Sequence, residues 1–266
     1  QSAFRSAAGS LGGDYLRLYP SAFTRGEKGI PINGLVWMGS YDEMCQRMED
    51  KLEQGFRCVK LKIGAIDFES EMELIRQLRS RYSKEVVELR VDANGGFTPS
   101  EAPRKLDILA QYDIHSIEQP IKQGQWKEMA HLCANTPLPI ALDEELIGVN
   151  DFEQKIDLLD TIRPQFIVLK PTLHGAFTGA GEWMSLAKDR NIGYWTTSAL
   201  ESNVGLNAIA QWCAAIDPDT PLPQGLGTGQ LFVENFDKAP LHIEGDCLWY
   251  GSKEQRNFLH EIEAFK

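Results

Sequence analysis

The chain has 266 residues, 42% apolar and 24% charged, and its 27 basic against 38 acidic side chains give a formal net charge of −11. This is the composition of a globular protein with a sizeable core, which excludes a disordered or collagenous chain. The acidic balance argues against nucleic acid or an anionic membrane surface as a partner, since either needs a basic face. No apolar run approaches the 18 or so residues of a membrane span. Five cysteines (Cys45, Cys58, Cys133, Cys213, Cys247) are scattered and never spaced CxxC. They point to a reduced, cytoplasmic compartment and away from a disulfide framework or zinc site.

In chain order, residues 1–29 form a lead-in. Short β-branched runs then recur: Ile32 to Met38, Phe56 to Ile63, Val86 to Val91, Ser116-Ile117, Pro139 to Leu142, Phe166 to Leu169, Tyr194 to Thr197, and Leu226 after Gly225. Each reads as a buried parallel strand, and they repeat about every 27 residues. Helical spacing fills the intervals. Met44, Met48 and Leu52 stop at Gly55; Phe68, Met72, Ile75 and Leu78 follow; Thr98-Pro99-Ser100-Glu101 reads as a capping box. Further helices are expected over Trp126 to Ala134, Phe152 to Ile162, Trp183 to Arg190, Val204 to Ile216 and Phe258 to Phe265. Eight strands alternating with eight helices is the count of a closed (β/α)₈ barrel of TIM type over residues 30–266. An open doubly wound sheet is the alternative.

Barrel chemistry sits at the C-terminal ends of the strands. Strand two ends Lys60-Leu61-Lys62, strand three Asp92-Ala93-Asn94, strand four Glu118-Gln119-Pro120, strand five Asp143-Glu144-Glu145 and strand six Lys170-Pro171. Asp92, Glu118 and Asp143 are 26 and 25 residues apart. That is one repeat each, so the three carboxylates are expected side by side, converging on a cation. Hard oxygen donors without His or Cys point to Mg²⁺. Lys60 and Lys62 share one face of their strand, and a neighbouring ammonium is expected to push Lys62 toward a base. Lys170 is expected across the ring from them. Arg90 shares the inward face, and Asn94 and Glu144 are expected around the metal or Lys62. Gly227, in a Gly225-x-Gly-x-Gly run after strand eight, is a candidate substrate contact through a nest of backbone N–H groups, and Ser198 and Glu201, at the close of strand seven, are candidates to orient a distal carboxylate of the substrate. The five histidines show no ligand spacing and default to surface or core roles.

The set KxK, DxN, E, DE and K on successive strands resembles the enolase superfamily, in its muconate-lactonising-enzyme-like branch. The stretches Ile30 to Trp37, Ser198 to Asn207 and Gly225 to Gly229 are similar to the menaquinone-pathway dehydratases of that branch. The resemblance implies a Mg²⁺-dependent lyase, with Mn²⁺ able to substitute. It would abstract a proton α to a carboxylate, form an enediolate, and aromatise 2-succinyl-6-hydroxy-2,4-cyclohexadiene-1-carboxylate. Lys62 and Lys170 would be catalytic and Asp92, Glu118 and Asp143 the metal ligands. The partner is a small anionic carboxylate. Epimerases and N-succinylamino-acid racemases of the branch are the alternative, although Gly227-Thr228-Gly229 stands where dipeptide epimerases carry an acidic pair. The family's α+β capping domain is largely absent from this chain, and residues 1–29 would be a remnant or the C-terminal part of that region.

Overall fold

The computed structural model describes residues 17–64, 66–232, 234–235 and 240–251. Its elements, in chain order, are β1 (Ile30–Pro31), β2 (Gly34–Val36), α1 (Tyr41–Glu53), β3 (Cys58–Lys62), α2 (Phe68–Arg81), β4 (Glu88–Asp92), α3 (Ala102–Leu109) and β5 (Ser116–Glu118). There follow α4 (Trp126–Asn135), β6 (Ile140–Leu142), α5 (Phe152–Ile162), β7 (Phe166–Leu169), α6 (Ala176–Asp189), β8 (Gly193–Thr196), α7 (Asn203–Ile216), β9 (Leu241–Glu244) and β10 (Cys247–Tyr250). The chain divides into two compact units, residues 33–195 and residues 1–32 with 196–266.

In the first unit β2 to β8 form one sheet in chain order, and the pairings from β2 to β7 are parallel. Parallel neighbours need a crossover, and each interval supplies a helix with an apolar stripe. Local sequence sets the helix starts. Ser40 and Glu43 exchange the two bonds of a capping box ahead of α1, and Asp67 and Asp151 accept from the backbone N–H three residues on to open α2 and α5. On one face of the strands Val59, Leu61, Val91, Ile117, Ile140 and Leu142 are fully buried, each contributing about 1.5–3 kcal/mol of hydrophobic stabilisation. The other face carries Lys60, Lys62, Arg90, Asp92 and Glu118, also buried.

Three expectations shift. The third strand begins at Glu88, because Val86 lies in a turn and is 55% exposed. Thr98 and Glu101 make the reciprocal capping bonds, but residues 99–101 remain a turn and α3 starts at Ala102. Helix α6 starts at Ala176 rather than Trp183, because Gly175 adopts φ 82° as its N-cap and turns the chain early.

In the second unit β1 pairs antiparallel with β10 and β10 with β9, a small sheet the strand count did not foresee. The expected eighth strand reduces to two isolated parallel bridges, Gln224 with Ile32 and Gly225 with Thr197. Gln211 on α7 accepts from the backbone of Leu18 and Tyr19 at 2.6 and 3.1 Å, anchoring the lead-in to this unit. The helix expected over Phe258 to Phe265 lies outside the described residues. No helix among the described residues is long and apolar enough to cross a membrane.

Candidate active site

Strand register brings the charged residues together. Lys62 pairs with Asp92, Asp92 with Glu118, and Glu118 with Ala141, so two carboxylates and an amine form one row across adjacent strands. Asp143 follows two residues after Ala141, and a parallel strand returns it to the same face. Lys60 Nζ contacts Asp92 Oδ2 at 3.1 Å and both oxygens of Glu118 at 3.1 and 3.2 Å. Lys62 Nζ contacts the same Asp92 oxygen at 2.5 Å and Asn94 Oδ1 at 2.8 Å, and lies 5.6 Å from the Trp37 ring centre. Lys170 Nζ is paired with Asp143.

Burial and the close pairing of opposite charges compete in the electrostatics. Burial raises Glu118, and the Asp92 and Asp143 charges add to the shift, leaving its carboxyl well above the usual range. Burial also opposes ionisation of Asp92, but Lys60 and Lys62 outweigh it and hold that carboxyl below its usual range. On Lys60 and Lys170 burial disfavours the ammonium, yet the facing carboxylates win and both are raised. Glu144 is raised by burial and by Asp143.

The donor set suits a hard divalent cation: three buried carboxylates on adjacent strands, none accompanied by His or Cys. Asp143 Oδ1 and Glu144 Oε2 are buried without a hydrogen-bond partner, which is costly unless something else satisfies them. The carboxylates do not, however, converge into a ready metal cage among the described residues. Lys60 stands between Asp92 and Glu118, and Lys170 takes Asp143, because unlike charges in a low-dielectric interior pair directly.

The remaining expected residues divide. Asn94, in the left-handed region at φ 43°, links Lys62 to Glu144, donating to Glu144 Oε1 at 2.8 Å. Arg90 is turned to the opposite end of β4: it donates to Glu88 at 2.7 Å and lies 4.4 Å from the Trp195 ring centre, beside His115 and Phe166. Its position is that of a plug beneath the site. In the other unit, Ser198 Oγ donates to Glu201 Oε2 at 2.5 Å and accepts from Leu200 N at 3.0 Å, bracing the loop before α7. Gly225, Gly227 and Gly229 all lack positive φ, so the expected nest is not formed. Gly225 is required for another reason: a Cβ there would meet Thr197 Oγ1 at 2.2 Å.

Sequence reasoning passed over Gln119, Glu145 and His174. Gln119, fully buried at φ 40°, accepts from Asp143 N and Glu145 N at 3.2 and 3.3 Å and donates to Glu145 Oε2 at 3.2 Å. It therefore brackets the backbone that carries Asp143. The Gln-Pro step directly after Glu118 was the available signal, since proline bars continuation of a helix or ladder there.

A curled parallel sheet with this row of lysines and carboxylates defines a class. Residues 43–251 match the family model "Enolase C-terminal domain-like", and the chain belongs to that family, whose fold is the TIM-type barrel. Among individual proteins, it is 55% identical over 238 residues to o-succinylbenzoate synthase of Desulfotalea psychrophila, covering 90% of this chain and 64% of that one. The solved structure of MenC from Desulfotalea psychrophila superposes with a TM-score of 0.81 at 53% identity, covering 88% and 64%. L-Ala-D/L-Glu epimerase of Bacillus subtilis is 28% identical over 236 residues, 83% of this chain and 63% of that one. The chain thus spans just under two thirds of the length of these relatives.

Proposed function

We propose that residues 30–266 are the catalytic barrel of a Mg²⁺-dependent o-succinylbenzoate synthase, preceded by the end of a capping region in residues 1–29. The substrate is 2-succinyl-6-hydroxy-2,4-cyclohexadiene-1-carboxylate. The observation that carries the reading is the pair of amines, the buried Lys62 on β3 and the partly buried Lys170 just past β7, bonded to two different carboxylates of one cluster. The 55% identity to a synthase supports the choice of substrate.

Lys62 takes the proton from the ring carbon bearing the carboxylate. The C–H pair is first delocalised into the adjacent carboxylate and then forms the ring double bond as the C6–O bond breaks, and the Lys62 ammonium returns the proton to the departing hydroxide, so one substrate yields one aromatic product and one water. Asn94 orients Lys62 through its 2.8 Å contact. Lys170, held protonated beside Asp143, offers a fixed positive charge where negative charge develops. Lys60, held charged between Asp92 and Glu118, serves as a counter-ion and not as a base. Asp92, Glu118 and Asp143 would hold Mg²⁺, which when bound supplies electrostatic stabilisation of the substrate carboxylate.

A second reading, racemisation of N-succinylamino acids or dipeptide epimerisation, is favoured by the 28% identity to an epimerase and by the presence of two amines. The deciding experiment is continuous ultraviolet detection of aromatisation by the full-length gene product. Absence of aromatisation alongside rapid α-proton exchange of an N-succinylamino acid would overturn the synthase reading.

A further inference from the structure

Lys170 lies one residue beyond Leu169, the last residue of β7. Its peptide has left the strand, and its N–H is met by a side chain: Lys170 N donates to His174 Nδ1 at 3.1 Å. The return contact is also made, because His174 N donates to Lys170 O at 3.1 Å, and Leu173 N reaches the same oxygen at 2.8 Å. Both polar groups of the Lys170 peptide are thereby fixed by the four residues that follow it.

We infer that His174 is a positioning residue for Lys170: its imidazole clamps the Lys170 peptide and so fixes the direction in which the ammonium leaves the backbone. The inference rests on the catalytic reading of Lys170 above. Three observations support it. To accept from Lys170 N, Nδ1 must present a lone pair, so the ring is neutral and carries its proton on Nε2. The surroundings favour that form: His174 is fully buried, and burial, with only partial opposition from Asp143, pushes its pKa down to about 4. Lys170 and Lys155, the cations facing it, push in the same direction. The ring also has little freedom to move its backbone. Gly179 on α6 lies against the His174 carbonyl so closely that a Cβ there would overlap it, and Gly179 O accepts from the buried Lys155 at 3.3 Å. Nε2 makes no hydrogen bond among the described residues, so the one polar contact of the ring is the one to Lys170.

A misplaced cation costs catalysis more than binding, because small displacements of a group that acts in the transition state are expensive. His174→Leu, which keeps bulk and removes the acceptor, is expected to lower kcat on the order of 100-fold while KM changes less than about threefold. His174→Asn offers a carbonyl oxygen near the place of Nδ1 and is expected to recover most of the loss. A folded His174→Leu with wild-type kcat, or equal losses in the Leu and Asn variants, overturns the assignment. Should the Leu variant not fold, ¹⁵N spectra of the wild-type imidazole decide: protonated Nε2 with a hydrogen-bonded, unprotonated Nδ1 supports it, and a proton on Nδ1 overturns it. Hydrogen exchange at the Lys170 amide, faster in His174→Leu than in His174→Asn, reads the clamp without any substrate. A wild-type enzyme without dehydratase activity would sink the catalytic reading alone, leaving tautomer and exchange to judge the contact.

Discussion

Lys60 and Lys62 converge on a single oxygen of Asp92, at 3.1 and 2.5 Å. Two residues apart on β3, they differ in their second partners: Lys60 reaches across to Glu118, whereas Lys62 reaches up to Asn94 and lies near the half-exposed Trp37. One amine is locked between two carboxylates and the other is shared between a carboxylate and an amide. Lys62→Ala should therefore abolish both α-proton exchange and dehydration, by about 10³-fold or more. Lys60→Met should act mainly on the fold, costing about 3–5 kcal/mol in urea unfolding by stranding buried carboxylates. Near-normal turnover in Lys62→Ala with loss in Lys60→Met would reverse the two roles.

Removal of divalent metal by a chelator is expected to eliminate activity, with recovery on adding Mg²⁺ or Mn²⁺. Asp92→Asn, Glu118→Gln and Asp143→Asn should each prevent recovery, because each removes a hard anionic donor. Calorimetric titration of Mg²⁺ into the three variants and the parent checks the ligand assignment separately from turnover.

Gln119→Ala should loosen the turn that carries Asp143. Two buried N–H groups, of Asp143 and Glu145, would lose their acceptor, an effect of about 1–3 kcal/mol each on stability. Mg²⁺ affinity is expected to weaken about 10- to 100-fold. Unchanged affinity in a folded variant would show that Gln119 supports the fold only.

Arg90→Met tests the plug beneath the site. Loss of the Glu88 contact and of the stacking on Trp195 is expected to cost about 2–4 kcal/mol in stability. At a temperature where the variant is folded, kcat should stay within about threefold of the parent. A large drop in kcat without loss of stability would place Arg90 in the chemistry instead.

Lys170→Ala separates the two catalytic readings. A synthase uses Lys62 for both proton transfers and Lys170 as a fixed cation, so the variant should lose dehydration while a residual Lys62-driven exchange persists. A racemase needs either lysine as base. In D₂O, the parent would then label both enantiomers of an N-succinylamino acid, and Lys170→Ala would label only one.

Much of the fold was legible in the sequence because local rules wrote it there. The β-branched runs, the apolar stripes of the helices and the repeat of about 27 residues depend on near neighbours, and residues 34–196 follow them closely. The site's residue types were legible for the same reason: a charged residue at the end of each of five strands is a periodic signal. The antiparallel pairing of β1 with β10 joins segments more than 200 residues apart, a contact that no local period encodes. Tertiary structure alone decided which partner each charge takes. Register between β3, β4 and β5 set Lys60 between Asp92 and Glu118, and turned Arg90 down to Glu88 and Trp195 although it shares a face with Asp92. It also gave His174 the Lys170 peptide, because where a strand runs out of ladder its buried N–H must find an acceptor, and which one is near depends on how the following turn packs.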